Sequence, residues 1–129
     1  MEFLLIALTI VAAAAEGFID AARSKKTKIE HYLSFWVRVV LIGVAPFLLL
    51  NNIKGYYLNL LFSGILGSIY WIVFDLAFNT MAGNHWGYTG TTSKIDKFMD
   101  KIGGPEEIIF TKVFVGMVFF MLYDILRGL

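Results

Sequence analysis

Residues 55–82 read GYYLNLLFSGILGSIYWIVFDLAFNTMA, an apolar run in which Asp75 is the one charged residue. Coiled as a helix at about 1.5 Å per residue, the run rises roughly 40 Å, against a bilayer hydrocarbon core of roughly 30 Å. A stretch this long and this apolar reads as a membrane-crossing helix, and the rest of the chain falls into place around it. Windows at roughly 2–23, 28–50 and 106–127 share its character. Of 129 residues 58% are apolar and the mean hydropathy is +0.71, an excess that residence in a membrane explains. The expected fold is all-α: a single transmembrane domain over 1–129, built as an integral membrane four-helix bundle.

The connections are short and carry helix signals. The first runs Ser24-Lys25-Lys26-Thr27-Lys28-Ile29-Glu30, where Thr27 and Glu30 have the spacing of a capping box and start the second helix near Lys28. Asn51-Asn52-Ile53-Lys54-Gly55 suits a tight reversal, which makes helices 2 and 3 an antiparallel hairpin. Pro46 is predicted to kink helix 2 and free the carbonyl of Ile42. In the longer connection from Gly83 to Gly104, Ile95, Phe98, Met99 and Ile102 share one helical face. Lys94, Asp96, Lys97, Asp100 and Lys101 fill the other, so a short amphipathic interfacial helix is expected over about 93–102, stopped by Gly103-Gly104. Pro105 then suits a first helical turn, and Glu106-Glu107 complement the positive end of helix 4.

At the N-terminus, Phe3 to Val11 running into Ala12-Ala13-Ala14-Ala15 has the form of a secretory signal, but Glu2 stands where a signal carries Lys or Arg. The segment reads instead as the first membrane helix. Four crossings place Arg23, Lys25, Lys26, Lys28, Arg38, Lys94, Lys97, Lys101 and Lys112 on one side, and only Lys54 and Arg127 on the other. Positive charge marks the cytoplasmic side, so both termini are expected outside, in a bacterial inner membrane. The net charge of +1 and the scatter of bases around apolar segments give no nucleic-acid surface. Without cysteine there is no disulfide, thiolate ligand or thiol nucleophile.

Charge inside a bilayer costs on the order of 3 kcal/mol per group at a helix centre, so each such residue asks for a reason. Glu16 and Asp20 lie at i and i+4 in helix 1; His31, Ser34 or Phe35, and Arg38 form a stripe in helix 2. Asp75 and Asn79 repeat the spacing in helix 3, and Lys112 follows Thr111 in helix 4. All occupy the cytoplasmic halves of their helices, so turning the stripes inward collects them into one buried polar cluster. Two uses of it stand side by side: Arg38 pairing with Glu16 or Asp75 to fix helix register, with Asp20, His31 and Lys112 reaching interfacial water, or a site for a proton, ion or head group.

No metal site, cofactor or catalytic residue is expected. Glu16, Asp20, Asp75, His31 and His85 are chemically suitable ligands, but they form no recognised metal motif. The serines Ser34, Ser63, Ser68 and Ser93 lack a nucleophile elbow. Gly87-Tyr88-Thr89-Gly90-Thr91-Thr92-Ser93-Lys94 resembles a phosphate loop without its Gly-Lys-Ser order and reads as a turn into the interfacial helix. Trp86 and Tyr88, with Lys94, Lys97 and Lys101, are expected lipid contacts at the interface, beside His85. Ser63, Gly64, Gly67 and Ser68, and Ala12 to Ala15, offer smooth faces for close helix approach.

The stretch Phe74-Asp75-Leu76-Ala77-Phe78-Asn79, followed by Tyr88-Thr89-Gly90-Thr91-Thr92-Ser93-Lys94-Ile95-Asp96-Lys97-Phe98, resembles a pattern in small uncharacterised integral membrane proteins of bacterial and phage origin. The resemblance implies a prokaryotic setting and no mechanism. Small multidrug transporters and fluoride channels are similar in size and span number, but their motifs are absent. The leading expectation is a non-enzymatic homo-oligomer in membrane lipid that forms a pore or an ion, proton or solute path through the polar cluster. The alternative is an interaction module binding a protein partner or anionic lipid through its cytoplasmic loop. A weaker one is a metal-dependent membrane enzyme acting on lipid.

Overall fold

The computed structural model describes residues 1–22, 28–50, 55–84, 97–98, 101 and 103–129. Its elements are α1 (Glu2–Ala22), α2 (Lys28–Arg38), a π-helical segment (Val39–Val44), α3 (Ala45–Leu49), α4 (Tyr56–Ala82) and α5 (Pro105–Gly128). No strand occurs among the described residues. Four stretches, Glu2–Ala22, Tyr32–Leu49, Tyr56–Ala82 and Glu106–Gly128, are long and apolar enough to cross a membrane. The expected capping box, the turn at 51–54 and most of the interfacial helix over 93–102 lie outside the described residues. Of that helix Lys97 and Phe98 are helical, and the Lys101 amide donates to the Phe98 carbonyl at 3.2 Å.

The organising element is α4, which α1 and α5 flank. On α1 the inward residues are Leu5, Thr9, Ala13 and Gly17, a four-residue spacing that keeps one ridge against its neighbour. Leu5 shares an apolar cluster with Leu50, Leu58, Phe62, Ile65, Leu66 and Tyr123, while Gly17 meets α4 further on, so α1 and α4 run parallel. Approach is closest at Gly17, where a Cβ would stand 2.7 Å from the Phe74 carbonyl oxygen and 2.9 Å from the Ala77 Cβ. Only glycine permits that spacing, because any Cβ would overlap the facing backbone.

On α5 the facing residues are Lys112, Gly116, Phe119 and Tyr123, again at helical intervals and antiparallel to α4. Gly116 sits on Ser68, Gly64 lies under the Phe119 ring, and the Phe62 and Tyr123 rings are 5.5 Å apart. The expected smooth face of helix 3 is thus divided between neighbours: Gly64 and Ser68 meet α5, while Gly67 faces Ile42 of the second span. Gly83 closes α4 in the left-handed conformation at φ +73°, with the Asn84 amide bonded 2.9 Å from the Asn79 carbonyl in a Schellman arrangement.

The irregularity expected at Pro46 takes the form of the π-helical segment, which ends as α3 begins. The amide of Ala45 reaches back five residues to the Val40 carbonyl. Proline has no N–H to donate, and its ring crowds the carbonyl four residues earlier, so the turn before it widens. A helix thus distorted remains long and apolar enough to cross a membrane over Tyr32–Leu49.

Candidate functional site

Glu16 of α1 faces α2, which presents Ser34 and Arg38 one turn apart. One carboxylate oxygen, Oε1, accepts from the Ser34 hydroxyl and from Arg38 Nη2; the other, Oε2, accepts from Arg38 Nε at 3.4 Å. Fork and carboxylate therefore meet through both oxygens, the arrangement in which an arginine is most strongly directed. The guanidinium also lies over two aromatic faces of α4, 5.2 Å from the Tyr70 centroid and 5.5 Å from that of Phe74.

A second ion pair forms between α4 and α5, where Lys112 Nζ donates to Asp75 Oδ2. The ammonium stands 4.5 Å from the centroid of the Trp71 ring. Phe74 and Asp75 are neighbours in the chain, yet one helical step of about 100° sends them to different partners. Because Gly17 packs on Phe74 and Phe78, Glu16 lies at the height of Asp75 along α4. Two carboxylates and two cations thus form a belt of zero net charge around one level of α4.

The two pairs differ in depth. Lys112 is 1% exposed, whereas the side chain of Arg38 is 42% exposed on a span that is only 6% buried within the protomer. Lys112 reaching interfacial water is the expectation that fails: its stem is enclosed between α4 and α5 and its charge is met internally. Of the two acids considered for Arg38, the partner is Glu16.

Asp20 sits one turn beyond Glu16, partly buried, and Asn79 is buried at 1% exposure. His31 belongs to α2, with its side chain outside the described residues. Trp86, Tyr88, Lys94 and His85 also lie outside them, and Lys97 and Lys101 are exposed. Among the described residues no three His, Cys, Asp or Glu side chains converge on a position for a metal ion.

No protein-family model, curated protein or solved structure matches this chain. The site therefore rests on its own geometry, part of which the sequence reading missed. Tyr70, Trp71 and Phe74 form the floor under both cations; their signal was an aromatic run in the turn before Asp75. At the opposite end of the molecule Glu2 accepts from the Tyr123 hydroxyl at 2.6 Å and from Arg127 Nη1 at 3.1 Å, tying the start of α1 to the end of α5. Tyr123 and Arg127, at i and i+4 on α5, were the visible half of that contact. A groove of about 400 Å³ at this same end, lined by Tyr57, Leu58, Leu60, Leu61 and Leu126, is apolar and distant from the charged belt.

Proposed function

We propose that the chain is an integral membrane four-helix bundle that assembles with copies of itself and passes a small ion or a proton through the charged belt. In this reading the belt lies in the cytoplasmic half of a bacterial inner membrane, with both termini outside. The observation that carries it is the half-exposed Arg38 on a span that its own protomer scarcely covers. A guanidinium facing hydrocarbon is costly, so the Glu16–Arg38 side of the bundle requires either a neighbouring copy or water. Either one gives the pair access to a path, whereas the Asp75–Lys112 pair, with its lysine enclosed, holds α5 in register beside it.

Flux into vesicles containing the purified chain tests this. The wild type is expected to carry current or dissipate an ion gradient, and Glu16→Gln and Asp75→Asn to abolish it, the first by removing the counter-charge of the half-exposed Arg38 and the second by releasing α5. A silent wild type, or full flux in both variants, overturns the reading. An oppositely ordered pair, Glu16→Arg with Arg38→Glu, separates conduction from folding: it keeps the contact and alters the path.

A further inference from the structure

Beyond the belt, toward the end where α4 begins, the molecule turns apolar: Leu5, Leu50, Leu58, Phe62, Ile65 and Leu66 fill the space between the helices. A hydrated ion has little to hold it there. Yet three polar side chains share one line of α4 in that half, with Leu66 the apolar residue between them. Asn59, Ser63 and Tyr70 recur at i, i+4 and i+11, which brings them within about 40° of one another around the helix, and Phe74 beneath Arg38 continues the line. Asn59 is 7% exposed and Tyr70 4%. The buried Ser63 Oγ and Tyr70 hydroxyl have no hydrogen-bond partner in the protein.

Two orphaned hydroxyls on one stripe ask for an explanation, because a buried polar group without a partner costs about 1–3 kcal/mol. The contrast with neighbouring hydroxyls sharpens the point. Thr9 donates to the Leu5 carbonyl at 2.7 Å and Ser68 to the Gly64 carbonyl at 2.9 Å, each satisfied inside its own helix. Ser63 has the same option and does not take it.

We infer that the carried species is a proton, and that Tyr70 and Ser63 continue its route from the Glu16–Arg38 pair along α4 toward the opposite face. This rests on the transport reading above and adds the species and the path. The Arg38 guanidinium beside Glu16 repels a metal cation, and Glu16 repels an anion, but a proton needs neither a vacant site nor a hydration shell. A hydroxyl both donates and accepts: it releases its proton to the acceptor ahead as it takes one from the donor behind, and ends the step neutral. Ser63 and Tyr70 lie roughly 10 Å apart along the helix axis with Leu66 between them, so the route requires bridging waters that pass that side chain and relay the proton by the same exchange.

The test measures acidification inside vesicles with an entrapped pH dye, and potassium and chloride flux in parallel, for the wild type, Tyr70→Phe and Ser63→Ala. The expected result is proton flux without potassium or chloride flux in the wild type, cut roughly tenfold or more in each variant. Each substitution deletes a single oxygen that bonds to nothing in the protein, so detergent melting temperatures should hold or rise, which excludes misfolding as the cause. Unaltered proton flux in both variants overturns the route. Equal passage of potassium or chloride overturns the proton while leaving the transport reading intact, and a wild type that passes nothing overturns both.

Discussion

Lys112 shows how a single residue's fate depends on what two other helices do. Its ammonium is enclosed, paired with a partly buried Asp75 and lying over the Trp71 ring. Desolvating such a pair is expensive and its mutual attraction only offsets that cost, so the pair is worth little against an apolar pair of the same volume. Removing one partner is another matter. Lys112→Met leaves a partly buried, uncompensated carboxylate and is expected to destabilise the chain by about 2–4 kcal/mol, whereas Lys112→Met with Asp75→Leu should return to within about 1–2 kcal/mol of the wild type or exceed it. Reversible unfolding of both variants in mild detergent checks this; equal losses in single and double variants would show that the lysine contributes something other than charge compensation. Spacing alone places Lys112 near the N-terminal end of its helix, where the long stem is expected to reach an interface. What spacing omits is rotation: nothing in residues 105–128 says which face of α5 meets α4. The same ambiguity left Glu16 and Asp75 as equal partners for Arg38, since both acids lie at one height.

At the scale of elements, α1 and α4 meet through Gly17, and the contact is intolerant of any side chain. Gly17→Val puts methyl groups into the Phe74 carbonyl and Ala77, backbone and Cβ atoms that cannot swing aside. The helices must separate, which should cost about 2–3 kcal/mol, more than filling an ordinary core site by the same volume. Gly43 in the π-helical segment is the control: nothing lies within 4 Å of its would-be Cβ, so Gly43→Ala should be neutral within about 1 kcal/mol. Comparing the two in unfolding experiments tests the packing directly, and similar effects would contradict it. Helix extents were legible before any of this, because hydropathy and the Pro and Gly punctuation act within a few residues. The windows 2–23, 28–50, 55–82 and 106–127 stand beside helices over Glu2–Ala22, Lys28–Leu49, Tyr56–Ala82 and Pro105–Gly128. Pro46 likewise marked where helix 2 departs from regularity, though not that the departure is a widened turn. Which of Ser63, Gly64, Gly67 and Ser68 meets which neighbour was not legible, since a small-residue pattern records close approach without naming the partner.

At the scale of the whole molecule, the second span is the outlier. The windows in α1, α4 and α5 are buried to 22%, 33% and 17% within the protomer, but that of Tyr32–Leu49 to only 6%. Tyr32, Leu33, Phe35, Trp36, Val37 and Val40 are all exposed, and in a bilayer lipid would cover such side chains without cost. Arg38 is different, because 42% of its side chain shares that exposure and its head is held inward by Glu16 and the rings of Tyr70 and Phe74 rather than extended to the interface. Its stem cannot carry the charge to water while that contact stands, so something polar must come to it. A second copy brings its own Arg38 stripe only if the interface also supplies counter-charge or trapped water, which favours a closed ring or two-fold pair over open association. Native mass spectra of the chain released from mild detergent are therefore expected to show one defined multimer, and Arg38→Leu, which removes the need for cover at this position, to shift it toward monomer. A wild type that is monomeric under conditions preserving bound lipid would contradict this, and would leave the lipid bilayer itself, thinned or wetted at the level of the belt, as the medium around Arg38.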